Sequence, residues 1–190
     1  MANIAFTEYV IEGTKRELEK LDHIFKTLMT IGRENDWQDR YELKRLIKFI
    51  NPDFDGILDG DWDNYEFIDE PNKPKTIHFD TETAWRKNPW LEKAILQICP
   101  TAKIFYYEDT DEGFDSNDKK NKYFNTFAKI DYCLESDTNI ESFKNEKSFL
   151  KRFNELMGTD CKTIKEANEY AYDYEDEDNE DYFINVYTNV

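Results

Sequence analysis

The fold class is decided by the stretch Ile77-His78-Phe79-Asp80-Thr81-Glu82-Thr83-Ala84-Trp85-Arg86-Lys87-Asn88-Pro89-Trp90. In its first part every second residue is suited to a buried side, as in a strand, and its last residues carry the signals that begin a helix. Its odd-numbered positions share one side of an extended chain and are Ile77, Phe79, Thr81, Thr83 and Trp85. Its even-numbered positions are mostly polar, which predicts a half-buried strand. Asn88 then stands at a helix N-cap position and Pro89 at the first helical position, where no N–H is needed. The stretch therefore predicts a strand followed by a helix.

One strand and two helices are predicted before residue 52. Alternating apolar residues from 4 to 11 predict the strand. Thr14 and Glu17 have the spacing of a capping box, in which each side chain bonds to the backbone N–H of the other, so a helix begins there. Its buried side would consist of Leu18, Leu21, Phe25 and Leu28. Apolar residues recur at helical spacing again from about residue 36 to 50, and Pro52 prevents this second helix from continuing.

The remaining segments complete an α+β pattern. Residues 51–75 predict a loop with one short strand, because acidic residues and prolines interrupt the apolar pattern. Residues 104–134 contain two β-prone segments around an acidic stretch, which predicts a β-hairpin with a long loop. A later helix ends at Gly158, a second capping box starts another at Thr163, and residues 182–190 alternate as a final strand. We predict a single α+β domain that spans the whole chain.

The charge of the chain restricts its partners. The 190 residues include 42 Asp and Glu against 25 Lys and Arg, which gives a formal net charge of -17 at pH 7. Nucleic-acid phosphates and anionic membrane surfaces are repelled by such a charge. We therefore expect no direct nucleic-acid binding and no membrane binding, and a basic protein is the favoured kind of partner.

Cysteine and histidine usage argues against a disulfide framework and a transition-metal site. Cys99, Cys133 and Cys161 are odd in number and widely spaced, which predicts buried thiols in a reducing, cytoplasmic compartment. His23 and His78 are the only histidines, too few for the usual imidazole ligand sets. No glycine-rich phosphate loop is present, and no stretch approaches the ~20 apolar residues needed to span a bilayer. We expect no cofactor.

Several segments in the first two thirds of the chain carry a resemblance to a known family. They are the strand before Thr14, Trp62 with its neighbouring aspartates, Phe79-Asp80-Thr81 through Ala84-Trp85 and Pro89, and Ile104-Phe105-Tyr106-Tyr107-Glu108 leading to Glu112-Gly113-Phe114. In this order they resemble the YubB-type ferredoxin-like domains of bacterial plasmids, phages and mobile elements. The chain has Asn3-Ile4-Ala5 where members commonly have Asn-Trp-Cys.

The resemblance implies a fold more than a function. For residues 1–134 it implies a ferredoxin-like antiparallel sheet covered by helices. Residues 135–190 would then be a C-terminal helical extension with an acidic run and a terminal strand. The family has no known biochemical function and no established catalytic residues, so no catalytic residue is assigned here.

One acidic segment has part of the spacing of a calcium-binding loop. Asp59, Asp61, Asp63 and Glu70 occupy positions 1, 3, 5 and 12 of an EF-hand loop. The sixth position is Asn64, where the sharp turn needs glycine. In a chain this acidic such a spacing readily arises by chance, and the alternative is a solvated acidic loop with Trp62 packed in the core. We therefore assign no metal site and keep these four residues as candidate ligands.

An enzymatic alternative rests on the strand that opens this section. His78 would lie beside Asp80 on the outward side, as a general base oriented by a carboxylate would, with Trp85 near the end of the strand. An exposed strand histidine beside an acid explains the same pattern without catalysis. The hypothesis of an enzyme with a cleft near His78, Asp80 and Trp85 stays open beside that of a binding protein.

The acidic run near the C-terminus suggests the binding function. Its seven carboxylates are Asp173, Glu175, Asp176, Glu177, Asp178, Glu180 and Asp181. If the run were helical, at ~1.5 Å per residue, charges would follow one another about every 1.9 Å, close to the ~1.7 Å of duplex DNA. The run would then act as a decoy or docking surface for a basic, possibly DNA-binding, partner. The alternative is a solvated linker that helps solubility.

Overall fold

The computed structural model describes residues 4–31, 42–56, 58–110, 113–134, 137–174 and 183–188. These residues form antiparallel sheets and five α-helices, which confirms the predicted α+β class. The chain divides into two compact units, residues 1–117 and 118–190. The prediction placed the change of character after residue 134, and whether both units belong to one domain stays a prediction. No described helix is both long and apolar enough to cross a bilayer.

The first unit is built around a five-stranded antiparallel sheet with the strand order β2-β3-β1-β4-β5. Its elements are β1 (Ile4–Glu12), α1 (Lys15–Ile31), α2 (Leu43–Ile50), β2 (Gly60–Ile68), β3 (Thr76–Ala84), α3 (Pro89–Ile98), β4 (Lys103–Thr110) and β5 (Gly113–Ser116). β2 is nine residues long, where only a short strand was predicted. Strand β1 lies at the centre, paired with β3 and β4.

The three helices of the first unit pack on one side of this sheet. The predicted buried side of α1, from Leu18 to Leu28, is confirmed, and it contacts Ile77 and Phe79 of β3 in one apolar cluster. Phe25 lies at the centre of the aromatic part of the cluster, against Trp62, Tyr65 and Phe79. The order of apolar residues along each element thus decides which side of the sheet is covered.

The helix starts follow the local signals. The Glu17 N–H donates to the Thr14 hydroxyl, and the Thr14 N–H donates to the Glu17 carboxylate at 3.3 Å, so the capping box is confirmed. At α3 the Asn88 side chain accepts from the Trp90 N–H at 2.9 Å, and Pro89 is the first helical residue, as predicted.

Glu17 has a second role that only the fold reveals. Its carboxylate also accepts from the hydroxyl of Thr101 at 2.6 Å and from the backbone N–H of Thr101 at 2.9 Å. These hydrogen bonds, together with those from Thr14, lower the pKa of Glu17 from 4.5 to about 2. One carboxylate therefore holds the start of α1 and the segment after α3 together.

The lowered pKa of Glu17 predicts a pH dependence. The charged form is favoured in the folded state, so its stabilisation is complete above pH 4.5 and is lost as the pH falls toward about 2. We expect Glu17→Gln to flatten the acid limb of the stability curve. Denaturant unfolding of both proteins between pH 6 and about pH 2.5 measures this. An acid limb of equal steepness in the two proteins would contradict the assignment.

Strand β3 ends one residue earlier than the sequence pattern predicts. Trp85 was expected on the buried side, but it lies after the strand with φ +74° and 60% of its surface exposed, so that prediction was wrong. The Thr83 hydroxyl donates to the Arg86 carbonyl and the Arg86 N–H to the Ala84 carbonyl, which closes a tight turn there. Because this turn ends the strand, the alternation of buried and exposed residues stops before Trp85. The exposure of Trp85 therefore cannot be predicted from that alternation.

The second unit is a three-stranded antiparallel sheet with two helices. Its elements are β6 (Ala128–Leu134), β7 (Asp137–Phe143), α4 (Glu146–Met157), α5 (Ile164–Tyr174) and β8 (Phe183–Thr188), with the strand order β7-β6-β8. Phe149 and Phe153 of α4 are fully buried in its apolar cluster. The end of α4 at Gly158, the start of α5 after Thr163 and the terminal strand are all confirmed.

The predicted hairpin over residues 104–134 was wrong. Strand β4 pairs with the short strand β5, and β6 pairs with β7 and β8 in the other sheet. Strand β5 follows β4 closely in sequence, so closing this short loop costs less entropy than closing the long one. Alternation in β6 reveals its buried side but not its partner, and β7 was not predicted at all.

The cysteines agree with the predicted thiol state. Cys99, Cys133 and Cys161 are all free, the first two buried and the third half-buried. Burial, together with the nearby Glu17 carboxylate, raises the pKa of the Cys99 thiol to about 11. At neutral pH this thiol is protonated and packs as an apolar group.

Candidate functional site

The three residues of the enzymatic alternative are not brought together around one cavity. His78 and Asp80 lie on β3, on the side of the sheet opposite the helices. Trp85 lies beyond the end of the strand and lines a cavity whose described lining includes neither of them. The arrangement of these side chains gives no assembled base, orienting group and substrate pocket.

His78 is tied into the sheet. Its Nε2 lies 2.9 Å from the Thr76 hydroxyl. Burial lowers the pKa of His78 below 6.5, although the carboxylates of Glu66 and Asp80 oppose this effect. The imidazole is therefore mainly neutral at pH 7.

The four candidate calcium ligands are not gathered either. Asp61 and Asp63 lie on strand β2, where residues two apart are separated by about 6.6 Å along the strand. Asp59 precedes the strand, and Glu70 follows it in a turn, paired with Lys73 at 2.6 Å. Among the described residues no three acidic, histidine or cysteine side chains come together as a group that could hold a metal ion.

The side of the sheet opposite the helices instead presents a carboxylate surface. We call it the acidic face, and it consists of Glu8 on β1, Asp61, Asp63 and Glu66 on β2, and Asp80 and Glu82 on β3. No lysine or arginine occurs in any of these three strands. Among the described residues, no lysine or arginine forms an ion pair with Asp61, Asp63, Glu66, Asp80 or Glu82.

The strand register places like charges directly opposite one another. Asp80 faces Glu8 of β1 on one side and Asp63 of β2 on the other, and Asp61 faces Glu82. Such neighbours have Cβ atoms about 4.5–5.5 Å apart, and a like-charged pair at this distance destabilises a sheet. The described compensation at Asp80 is one hydrogen bond of 2.7 Å from the Asn64 side chain. Packing of the fold alone gives no reason to keep these charges.

The acidic run at the C-terminus falls mostly outside the described residues. Asp173 lies in the last turn of α5 and is exposed. The other predicted partner-binding residues are Glu175, Asp176, Glu177, Asp178, Glu180 and Asp181, and all of them lie beyond the described part of α5 and before β8. Their role as a docking surface stays a prediction.

A cavity of about 420 Å³ lies at the end of β3 in the first unit. We call it the Trp85 cavity, and its lining residues include Trp85, Arg86, Lys87, Glu108 and Asp115. The turn after β3 provides the first three, and strands β4 and β5 provide the others. The cavity has an aromatic part and a charged part.

Glu108 is the unusual residue of the Trp85 cavity. It lines the cavity but is only 6% exposed, because it lies on the helix-covered side of β4. Its Oε2 accepts from the backbone N–H of Lys87 at 2.8 Å, and its Oε1 has no hydrogen-bond partner among the described residues. This oxygen is not one of the fully buried polar atoms that lack a partner, so it is open to the cavity and accessible to a ligand.

Buried hydroxyls without partners lie next to Glu108 in the sheet. Thr7 is directly opposite Glu108, Thr81 is opposite Thr7, and Tyr9 follows on the same side of β1. The hydroxyls of Thr7, Tyr9 and Thr81 are buried and accept or donate no hydrogen bond within the described chain. Burial raises the pKa of Tyr9, and the Glu92 and Glu108 carboxylates raise it further. The interior beside the cavity therefore has unused hydrogen-bonding capacity.

Sequence reasoning missed Glu108 as a site residue, although a signal was present. Ile104, Tyr106 and Glu108 alternate along one strand, so the side chain of Glu108 had to share the covered side with two large apolar residues. An acidic residue on the covered side of a strand is rare without a specific role.

Comparison of the chain with protein-family models, with curated proteins and with solved structures gives no match.

Proposed function

We propose that this chain is an acidic, non-enzymatic interaction protein that binds a basic protein through the acidic face. The observation that carries the proposal is the register of β2, β3 and β1, which sets Asp63, Asp80 and Glu8 side by side without a lysine or arginine in these strands. Like charges at this spacing oppose folding but favour a cationic partner. A stretch of lysines or arginines laid across the strands would relieve the repulsion.

A ferredoxin-like fold is part of the same proposal. The first four strands, in the order β2-β3-β1-β4 and with helices after β1 and β3, support the arrangement of a split βαβ motif. This arrangement is compatible with the resemblance to the YubB-type domains. The mobile-element setting of that family favours, as the partner, a basic or DNA-binding protein encoded with a mobile element and present in the cytoplasm.

The acidic run from Asp173 to Asp181 is the second surface of this proposal. Its charge density, taken as a helix, supports the role of a decoy that competes with DNA for a basic partner. The acidic face and the run carry the same sign of charge, so their contributions have to be separated by mutation.

The proposal is tested with a lysine-rich synthetic peptide and a glutamine-substituted counterpart. The face variant combines Asp63→Asn, Asp80→Asn and Glu82→Gln. We expect it to bind the lysine peptide about tenfold more weakly, because three exposed charge contacts at ~0.5 kcal/mol each are lost. Its affinity should also depend less on salt. Fluorescence anisotropy of the labelled peptide at rising ionic strength measures both quantities.

A matched control removes three charges elsewhere. Glu155→Gln, Asp160→Asn and Glu169→Gln lie in exposed pairs of the second unit, and their combination changes the net charge equally. We expect this control to bind the lysine peptide nearly as tightly as the unchanged protein does. A third variant, in which the acidic run is neutralised, measures the contribution of the run separately. Equal losses in the face and control variants, or binding indifferent to salt, would contradict the proposal. The face variant should melt no lower than the unchanged protein, since Asp80→Asn removes repulsion.

A further inference from the structure

We propose that the Trp85 cavity binds a small organic cation, an ammonium group on an aromatic or flat apolar body. This site is separate from the acidic face and does not depend on the function proposed for it. The cavity volume of about 420 Å³ is in the range of small-molecule sites. The charged part of the cavity would contact the ammonium group of such a ligand, and the aromatic part would contact its apolar body.

Glu108 is the anchor for the ammonium group. Its burial leaves the carboxylate little contact with water, and its unpaired Oε1 is the acceptor that a charged donor needs. A hydrogen bond between two charged groups is about twice as strong as a neutral one. The buried hydroxyl of Thr7, which lies directly opposite Glu108 in the sheet, keeps the interior behind the anchor polar.

Trp85 provides the aromatic part, while the ring of Phe114 packs against Tyr107 on the other side of the sheet. Trp85 has φ +74°, a conformation that costs a bulky residue about 1–3 kcal/mol. Its ring is 60% exposed, so the fold gains little burial in return. The turn after β3 holds this backbone, and it leaves a large ring beside the cavity that is available for contact with a ligand. Aromatic faces also attract cations directly.

The charges of the lining favour a cation over an anion. Lys87 is already neutralised, since its Nζ lies 2.8 Å from the Glu92 carboxylate and 3.2 Å from the centre of the Tyr106 ring. Glu108 and Asp115 are carboxylates, and within the described part of the chain Asp115 accepts one side-chain hydrogen bond, from the Tyr106 hydroxyl at 2.6 Å. Arg86 is the opposing charge, and because it is exposed its guanidinium can turn toward water.

The test uses phenethylamine as the probe, with 2-phenylethanol as a neutral molecule of the same shape. Binding is followed by NMR chemical-shift changes in the 190-residue protein, with the indole N–H of Trp85 as the reporter. We expect phenethylamine to bind at least tenfold more tightly than the alcohol, because only the amine makes a charge-assisted hydrogen bond. Equal affinities for the two probes would overturn the proposal.

Variants locate the site. Glu108→Gln keeps an oxygen for the Lys87 N–H but removes the charge, and it should weaken amine binding about tenfold or more. Glu82→Gln removes the same charge from the acidic face and should leave amine binding unchanged. Arg86→Gln removes the opposing charge and should strengthen binding a few fold. If Glu82→Gln and Glu108→Gln weaken binding equally, the amine responds to net charge only and the proposal is wrong.

Trp85→Gly separates binding from folding. Glycine accepts φ +74° without strain, so the melting temperature should stay the same or rise while amine binding, followed for this variant by the backbone N–H of Lys87, is lost. Retained binding in this variant would overturn the role of the ring. Normal lysine-peptide binding by Glu108→Gln, with amine binding lost, would show that the two surfaces act separately. Loss of amine binding therefore leaves the function proposed for the acidic face untouched, and the reverse also holds.

Discussion

Replacing Phe25 by alanine is expected to destabilise the protein by about 3–5 kcal/mol, the range for truncating a buried phenylalanine. The ring is fully buried between α1 and the sheet. Its centre lies 4.9 Å from that of Trp62, 4.5 Å from that of Tyr65 and 5.1 Å from that of Phe79. Removing it leaves a void among three aromatic rings that cannot collapse without moving α1. Urea unfolding followed by tryptophan fluorescence measures the free energy of unfolding.

The control for Phe25→Ala is Tyr172→Ala on α5. Tyr172 is an aromatic residue of similar size that is 80% exposed. Its removal should change the free energy of unfolding by no more than about 0.5 kcal/mol. A loss below about 1 kcal/mol for Phe25→Ala would mean that the aromatic cluster does not hold α1 on the sheet.

Gly60→Ala is expected to have the second largest effect, about 2–4 kcal/mol. Gly60 begins β2 with φ +138°, a conformation that strains any other residue. A Cβ there would overlap the carbonyl oxygen of Glu82 and lie 2.8 Å from the Thr83 Cγ2. The obstacle is the backbone of the neighbouring strand, so the clash is relieved only by moving β2 away from β3. Thermal and urea unfolding measure the loss.

Gly158→Ala is the matched control for the glycine change. Gly158 ends α4 with φ +63°, and a Cβ there meets nothing within 4 Å. It therefore shows the cost of the left-handed backbone alone, about 1–2 kcal/mol. If both substitutions destabilise the protein equally, the close approach of β2 to β3 at Gly60 contributes nothing.

Elements specified by residues close together in sequence were predictable. Thr14 and Glu17 cap α1, Asn88 and Pro89 start α3, and Gly158 ends α4, as their spacing indicated. Each signal is read within one or two turns of helix, and the hydrogen bonds it predicts are made by the same few residues. The side of a helix or strand that is buried followed from its apolar period in the same way.

Features that depend on distant partners were not predictable. The alternation in β6 fits any neighbouring strand, so the hairpin with β4 was a reasonable prediction that the pairing with β7 and β8 contradicts. Trp85 continued the rhythm of β3, but the turn closed by Thr83 and Arg86 removed it from the strand. A periodic pattern stops being informative at the residue where a strand ends.

In the candidate sites, too, features specified by nearby residues were predictable and features that depend on distant strands were not. Composition indicated an acidic surface, and Asp80 was expected on the outward side of its strand. That Asp80 stands between Glu8 and Asp63 depends on the register of three strands, which no single segment contains. The Trp85 cavity likewise combines the turn after β3 with β4 and β5, although alternation in β4 alone could have indicated the burial of Glu108.

Strand β2 forms an outer border of its sheet, and in the described structure only a single bridge between Glu42 and Asp61 covers that border. Uncovered backbone of this kind recruits strands from other molecules and begins aggregation. The pairing of β2 is also interrupted between Asp63 and Glu66, where Asn64 adopts φ +54°. The kink disturbs the regular edge on which another strand would pair. The carboxylates that flank it repel the same charges on a second copy of the strand. We therefore expect these residues to oppose self-association at neutral pH, and to do so less as the solution approaches the isoelectric point of about 4.5.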